Sequence, residues 1–405
     1  MPGGNCVKSL KELYKIGPGP SSSHTLGPKT ACERFLQEYP ETDEVEITLY
    51  GSLSLTGKGH LTDRICIQTC APIPCHVHFS SETCDAHPNT MDLFAYHKKK
   101  MIGSWRVYSI GGGTIRIEGK EFKESEEVYP QNSFYEICQY CREHQLFLKD
   151  YVDEHEKIDD YMRAIMNQML ATIEKGIHTQ GILPGRLQLK RVGADLYQKA
   201  LLEKNPLKKE KMMLMAYAYA ASEENASGGM TVTAPTMGAS GVMPSLVRYY
   251  KADRHFSEEK IIEGLKIAGI IGNLFKTNAT ISGAQGGCQA EIGVACSMGC
   301  AFVAYMEDLS DDLIAYAAEI GIEHFLGLTC DPVGGYVMIP CIERNAVATL
   351  RAIDSALLAN EVGNLKENKV SLDMIIHTMN YTGKKIAVEL KETSLGGLAS
   401  VVPLE

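Results

Sequence analysis

The arrangement of apolar and polar positions changes about a third of the way along the chain. Residues 45–115 contain short runs of β-type residues separated by turns rich in Gly, Pro and Asn, and the clearest runs are 45–50, 75–79 and 105–110. Runs of this length bounded by turn residues predict β-strands. A helix is predicted over residues 29–39, directly after a proline, because proline is favoured at helix starts. The pattern therefore predicts a compact α+β domain over residues 1–150.

Towards the end of that domain and beyond it, apolar residues recur every three or four positions, which is typical of amphipathic helices. The segments with this spacing are 132–150, 156–176, 208–224, 257–276, 289–306, 309–321, 341–361 and 370–392. Glycine-rich joints separate several of them, and few strand-like runs intervene. Residues 151–405 are therefore predicted to form a mainly all-α domain.

Composition and charge narrow the possible partners. The chain has 405 residues, of which 44% are hydrophobic and 22% charged, as is usual for a globular protein. A net charge of −10 argues against nucleic acid or an anionic membrane as a partner, since both attract basic surfaces. The best apolar run, residues 294–306, is too short to span a membrane, and the first residues lack the apolar stretch of a secretory signal. We expect a cytoplasmic protein.

Thirteen cysteines are many for a chain without an export signal, and they indicate metal binding or reactive thiols rather than disulfides. Four of them lie among apolar or β-type residues and are predicted to be buried and inert: Cys32, Cys66, Cys70 and Cys84. Cys138 and Cys141 form a single Cys-x-x-Cys in a predicted helix. Because no second pair follows, a zinc site there is not favoured over an ordinary helix.

Cys288, Cys330 and Cys341 each stand beside glycine or proline at a predicted helix start or sharp turn. A helix N-terminus stabilises a thiolate, and thiolate-only ligation favours an iron–sulfur cluster or zinc. Three thiolates are one fewer than a closed structural site needs, and a metal with an open position is suited to Lewis-acid catalysis. The alternative from the residues alone is that these are ordinary buried cysteines.

Two polar strings carry the remaining candidate chemistry. The loop 17–28 is dense in hydroxyl and N–H donors, leads into a predicted helix and is suited to binding a carboxylate; its polar residues are Ser21, Ser22, Ser23, His24 and Thr25. In the string 50–64, Lys58 lies between two glycines, and with His60 it offers titratable groups for proton transfer. Taken alone, the string 50–64 is more typical of a surface turn, and a loop rich in serine and threonine is more typical of a capped turn.

Together these strings resemble the iron–sulfur-dependent L-serine dehydratases of bacteria, and the resemblance extends over the whole chain. It rests on the Ser-Ser-Ser-His-Thr loop and on the strings at 56–60, 87–91, 233–236, 287–291, 330–335 and 340–346. It implies a small α+β domain and a larger helical domain with an oxygen-sensitive 4Fe–4S cluster. It also implies a homodimer and a reaction without pyridoxal phosphate.

The resemblance assigns roles to the candidate residues. The cluster ligands would be Cys288, Cys330 and Cys341, with one iron left open for the substrate. The substrate carboxylate would be held by Ser21, Ser22, Ser23, His24 and Thr25. His60 is the preferred general base, with His24 and Lys58 as alternatives. The implied reaction eliminates water from L-serine and yields pyruvate and ammonia, a step of amino-acid catabolism that can feed gluconeogenesis.

Three departures from the family pattern bear on the substrate. Family chains often have Asn at the position of Met237 and Arg at that of Leu395, and many end in a cysteine, which the terminal residues 401–405 lack. We expect these positions to face the substrate and the cluster to have no guarding ligand from the C-terminus. The alternatives are therefore β-elimination on another amino acid, such as threonine or cysteine, and a non-catalytic paralogue that keeps the fold.

Overall fold

The computed structural model describes residues 7–120 and 127–403, which form a small sheet region followed by a large helical region. The strands are β1 (Val7–Lys8), β2 (Ile16–Pro18), β3 (Glu44–Tyr50), β4 (Cys75–Phe79), β5 (Asn89–His97), β6 (Lys100–Gly111), β7 (Thr114–Ile117), β8 (Glu127–Tyr129) and β9 (Met230–Val232). The helices of the first part are α1 (Gly27–Glu38), α2 (Gly51–Leu55), α3 (Thr62–Cys70), α4 (Phe134–His144) and α5 (Leu148–His155). Those of the second part are α6 (Asp159–Gly176), α7 (Gly193–Leu202), α8 (Pro206–Ala226), α9 (Val242–Arg248), α10 (Glu258–Asn278), α11 (Gly283–Gly286), α12 (Ile292–Met306), α13 (Asp311–Glu323), α14 (Cys341–Gly363), α15 (Leu372–Lys385) and α16 (Leu398–Val401).

A five-stranded sheet with the order β4-β3-β5-β6-β7 organises the first part. β3 and β4 are parallel, and the other pairs are antiparallel. In β3 every second residue is buried, so Val45, Ile47 and Leu49 face the core that α1 and α3 cover. This alternation is what a strand with one buried face requires. The α+β character predicted for the N-terminal region is confirmed.

The helical part is built around α12, which packs against α10, α13 and α14. The stretch Cys288–Met306 is the one helix in the described part of the chain that is long and apolar enough to cross a membrane, and 89% of that window is buried. The helices around α12 account for its apolar character, because a helix that is apolar on all sides is buried on all sides. The mainly helical character of the C-terminal region is confirmed.

The two parts are joined by more than the connecting chain. β2 pairs antiparallel with β9, with Ile16 opposite Val232. Leu10, Leu13 and Tyr14, near the start of the chain, belong to the same hydrophobic cluster as the helical core. The division between domains at residue 150 stays a prediction.

Most predicted elements are confirmed, and the differences matter for the site. The segment 132–150 is divided into α4 and α5, because Gln145 adopts a left-handed φ of 55° at the end of α4. The helix predicted over 370–392 ends at Lys385, since the chain beyond it pairs with another segment: the Cys330 N–H donates to the Leu390 carbonyl at 2.8 Å. Six short helices of the described part were not predicted: α2, α3, α7, α9, α11 and α16.

Candidate active site

Three cysteine side chains of the helical part meet at one small buried cavity, and we call them the cavity thiols: Cys288, Cys330 and Cys341. Cys288 begins a single 3₁₀ turn after Gly287, whose φ of 74° favours glycine. Cys330 precedes the turn into Asp331-Pro332, and Cys341 is the first residue of α14. The sequence prediction that these residues lie at helix starts and turns is confirmed.

The donor set of the cavity thiols fits an iron–sulfur cluster or another soft metal. The ligand atoms of Cys288, Cys330 and Glu291 lie within 4.8 Å of one another, and Cys341 lines the same cavity. The hydrogen bond with Cys288 and burial raise the pKa of Cys330, and burial raises the pKa of Cys341. The nearby Arg344 guanidinium partly opposes the shift at Cys341 by favouring its thiolate. A metal would replace the thiol protons, because a coordinating thiol is deprotonated.

Residues 21–25, which we call the serine loop, reach the same cavity from the sheet region. All five are buried. Residues Ser22–Leu26 form one π-helical turn that leads into α1. The Ser21 hydroxyl lines the cavity and accepts a hydrogen bond from the His24 N–H at 3.2 Å. The Thr25 hydroxyl donates to the His60 carbonyl at 2.8 Å and so joins the serine loop to the segment that carries His60.

Two histidines with neutral rings lie side by side, His60 at the cavity wall and His24 behind it. The rings of His24 and His60 are 4.4 Å apart, and His60 lines the cavity. Burial lowers the pKa of His60 to about 4, and burial together with the His60 ring lowers the pKa of His24 well below its usual range. His60 Nδ1 lies 3.1 Å from the Thr56 carbonyl, to which only an N–H can donate, so Nε2 keeps the lone pair. A neutral imidazole with a free lone pair is suited to accept a proton.

Lys58 is not brought to the cavity. Its side chain is exposed, and its ammonium lies 5.4 Å from the centre of the Phe79 ring. Of the three residues considered as general base, His60 lines the cavity, His24 lies behind it and Lys58 points away. The two-residue spacing between Lys58 and His60 gives no hint of this difference, which depends on how the backbone turns.

Two carboxylates at the cavity, one of them fully buried, were not assigned by the sequence analysis. Burial raises the pKa of Glu291, which lines the cavity beside Cys330, to about 7. Glu392 lies on the segment after α15, where its φ of 60° is left-handed, and its Oε1 is 3.4 Å from His24 Nδ1. Burial and the Glu291 carboxylate raise the pKa of Glu392 well above its usual range. Glu291 lies in the string 287–291, which is part of the family resemblance. No local signal in the sequence distinguishes Glu392 from the many exposed glutamates.

The expected substrate contacts of two variant positions are not found. Met237 is fully buried and accepts a hydrogen bond from the Thr231 hydroxyl, while the Leu395 side chain is 62% exposed. Neither is among the residues that line the cavity. The expectation that both face the substrate is therefore wrong, and the last two residues of the chain lie outside the described part.

The other cysteines follow the predictions with one exception. Cys32, Cys66 and Cys70 are buried in the core under the sheet, as expected. Cys84 is only partly buried, because it lies in the loop before β5 rather than in a strand, so its predicted burial is wrong. Cys138 is buried on α4.

Comparison with known proteins connects both parts of the chain to one family. A family model described as serine dehydratase beta chain matches residues 9–76, and one described as serine dehydratase alpha chain matches residues 80–399. L-serine dehydratase 1 of Escherichia coli K12 is 38% identical over 96% of this chain and 98% of its own length. The L-serine dehydratase of Haemophilus influenzae is 38% identical with the same coverage. That of Helicobacter pylori strain 26695 is 37% identical over 97% of this chain and 99% of its own length.

Proposed function

The chain belongs to the serine dehydratase family, and we propose that it is an L-serine ammonia-lyase, which converts L-serine to pyruvate and ammonia. The observation that carries the proposal is the cavity at which the cavity thiols meet Ser21 and His60 from the other part of the chain. A metal site, a hydroxyl-rich loop and a neutral base are the three components that this elimination requires.

We propose that the cavity thiols hold a 4Fe–4S cluster. Three thiols with no histidine in the set suit iron–sulfur ligation, and their burial limits access of solvent and oxygen. When bound, such a cluster supplies Lewis-acid chemistry at its open position for the departing hydroxyl group. No lysine is needed as a Schiff-base nucleophile in this scheme, and Lys58 points away from the cavity.

In this proposal His60 removes the α-proton of the substrate at Nε2. Its low pKa keeps the ring neutral over the physiological range, and the Thr56 carbonyl fixes the tautomer. Thr25 of the serine loop donates a hydrogen bond to the His60 carbonyl, which links the loop to the segment that carries the base. Precise positioning of this kind lowers the barrier by removing the entropic cost of bringing the groups together.

We propose that the serine loop holds the substrate carboxylate. The Ser21 hydroxyl faces the cavity, Ser22 and Ser23 provide backbone N–H groups at the start of the turn, and the turn continues into α1. Backbone N–H groups and hydroxyls at such a turn are suited to an anion. Within the loop, the His24 ring lies behind the cavity, and hydrogen bonds of His24 with Ser21 and Ser23 fix the geometry of the loop.

The test is anaerobic purification followed by iron and sulfide analysis and by assays of 2-oxo acid and ammonia release from L-serine, L-threonine and L-cysteine. We expect about four irons and four sulfides per chain and turnover of L-serine. A colourless, iron-free protein would exclude the proposal, and zinc in place of iron would indicate a structural site. Since Met237 and Leu395 lie outside the cavity lining, the structure gives no reason to prefer another amino acid.

The homodimer and the cytoplasmic location remain predictions from the resemblance and the composition. Analytical ultracentrifugation of the anaerobic protein tests the first, and fractionation of the source cells tests the second.

A further inference from the structure

The carboxylate of Glu392 is buried at the cavity with one oxygen unused. Glu392 is 4% exposed, and its Oε2 has no hydrogen-bond partner among the described residues. Leaving a buried carboxyl oxygen without a hydrogen-bond partner is unfavourable. Such groups persist where a ligand supplies the missing partner.

The backbone around Glu392 is also held in a costly conformation. A left-handed φ in a residue other than glycine, such as the 60° of Glu392, is unfavourable and persists only where surrounding contacts impose it. Two contacts do so here: the Glu392 N–H donates to the Cys330 carbonyl at 2.6 Å, and the Ser52 hydroxyl donates to the Glu392 carbonyl at 2.7 Å. They hold Glu392 against the backbone of Cys330 on one side and against the sheet region on the other.

The immediate surroundings contain more acceptors than donors. Because the Ser52 hydroxyl proton is committed to the Glu392 carbonyl, His24 Nε2, 3.1 Å from Ser52 Oγ, must be the donor of that pair. His24 Nδ1 is then an acceptor, and it lies 3.4 Å from Glu392 Oε1. The Ser23 hydroxyl, 2.9 Å from Nδ1, and the Ala284 N–H are the donors nearby. When the Glu392 carboxyl is ionised, as a cationic partner would favour, its Oε2 is therefore an acceptor without a donor among the described residues.

We propose that Glu392 binds the α-ammonium group of the substrate amino acid, which resolves this surplus of acceptors. A primary ammonium has three N–H donors and no acceptor, and its hydrogen bonds to a carboxylate are charge-assisted. The inference rests on the proposed function. A zwitterionic amino acid has two charged groups: the serine loop is proposed to bind the carboxylate, and Glu392 would bind the ammonium. Glu392 thereby becomes a catalytic-site residue that selects amino acids over other carboxylic acids.

Glu291, the other carboxylate at the cavity, is less suited to this role. The Oε2 of Glu291 lies 4.0 Å from the Cys330 sulfur, so this carboxylate is beside a cavity thiol. The carboxylate of Glu291 and the sulfurs of Cys288 and Cys330 lie close enough together to share a metal ion. Glu392 does not belong to this set. Glu392 is also the carboxylate in contact with His24 of the serine loop, so an ammonium there lies beside the group proposed for the carboxylate.

The test compares two unreactive ligands that differ only in the group in question. L-alanine carries the ammonium, and L-lactate has a hydroxyl in its place. Their inhibition constants against L-serine turnover are measured anaerobically on the wild-type holoenzyme and on Glu392→Gln, with iron and sulfide content determined for each. Glu389→Gln is the matched control, because Glu389 is an exposed residue of the same segment.

We expect Glu392→Gln to weaken L-alanine by about 10- to 100-fold, the range for a lost hydrogen bond to a charged group, and to raise KM for L-serine similarly. Binding of L-lactate should change less than about twofold, and Glu389→Gln should match wild type. Equal weakening of both ligands, or no weakening of L-alanine, would overturn the proposal.

A second variant and a second measurement make the outcome of the test unambiguous. Glu392→Asp keeps the charge on a shorter side chain and should retain part of the preference for L-alanine over L-lactate. If both variants lose iron and sulfide, Glu392 belongs to the cluster site and the assignment is overturned. If wild type does not turn over L-serine, the proposed function fails, but calorimetric titration with L-alanine and L-lactate still decides the ammonium site.

Discussion

The contact between Gly59 and Gly335 sets how closely His60 approaches the cavity thiols, and replacing Gly59 with alanine tests this. A Cβ at Gly59 would lie 2.4 Å from the Gly335 carbonyl oxygen and 2.5 Å from its carbon. Both atoms belong to the backbone of the turn between Cys330 and Cys341, so no side chain can rotate out of the way. An ordinary contact of about 3.4 Å requires the two segments to separate by about 1 Å.

A displacement of about 1 Å in a catalytic group can reduce the rate by about 100-fold. We therefore expect Gly59→Ala to lower kcat for L-serine by about 10- to 100-fold, while KM changes less because the serine loop is not displaced directly. The assay is anaerobic turnover at saturating L-serine, normalised to iron and sulfide content, so that loss of the cluster is separated from misplacement of the base.

The control is Gly119→Ala, because a Cβ there meets no atom within 4 Å. Its φ of 70° makes the substitution mildly destabilising, yet kcat should stay at the wild-type value. If Gly59→Ala keeps full iron content and a kcat within twofold of wild type, the position of His60 against the thiols does not limit the reaction, and the proposed base is wrong.

The remaining predictions concern the metal, the base and acid stability. Replacing any cavity thiol with alanine should abolish both the iron content and turnover, whereas Cys138→Ala should preserve both; retained iron in the first set would contradict the ligand assignment. His60→Asn should lower kcat by about 10²–10⁴-fold with iron content unchanged, whereas Lys58→Ala should change kcat less than about twofold. Because the folded-state pKa of His60 is about 4 against about 6.5 unfolded, its contribution to stability is present above pH 6.5 and is lost as the pH falls towards 4, by about 3 kcal/mol in total. Urea unfolding of the metal-free protein at pH 7 and pH 4.5 measures this loss, and His60→Asn should reduce it.

The pattern of apolar residues within a single segment was sufficient to predict the strands and helices that bury one face. The alternation of Val45, Ile47 and Leu49 reports directly which side of β3 faces the core, so the strand could be predicted without its neighbours. The helix over residues 29–39 was predictable for the same reason, since α1 needs only its own apolar stripe and the preceding proline. The resemblance to a family then located the cavity thiols and the serine loop.

The parts that escaped prediction depend on contacts between distant segments. The chain leaves the helical conformation after Lys385 because residues 390–392 pair with the backbone of Cys330, about sixty positions earlier in the sequence. Apolar spacing continues through that segment and gives no sign of the pairing. Glu392 was missed for this reason, and the choice between Lys58 and His60 could not be made until the turn around them was known.

The position of Glu392 near the end of the chain has a consequence for biosynthesis. The walls of the cavity come from residues as far apart as Ser21 and Glu392, and the pairing with Cys330 cannot form until residue 392 has left the ribosome. Until then the cavity thiols of the nascent chain lack part of their cover. If the cavity thiols hold the proposed cluster, its delivery and the closure of the cavity wall are therefore ordered events: the cluster enters first, or the C-terminal segment must detach to admit it.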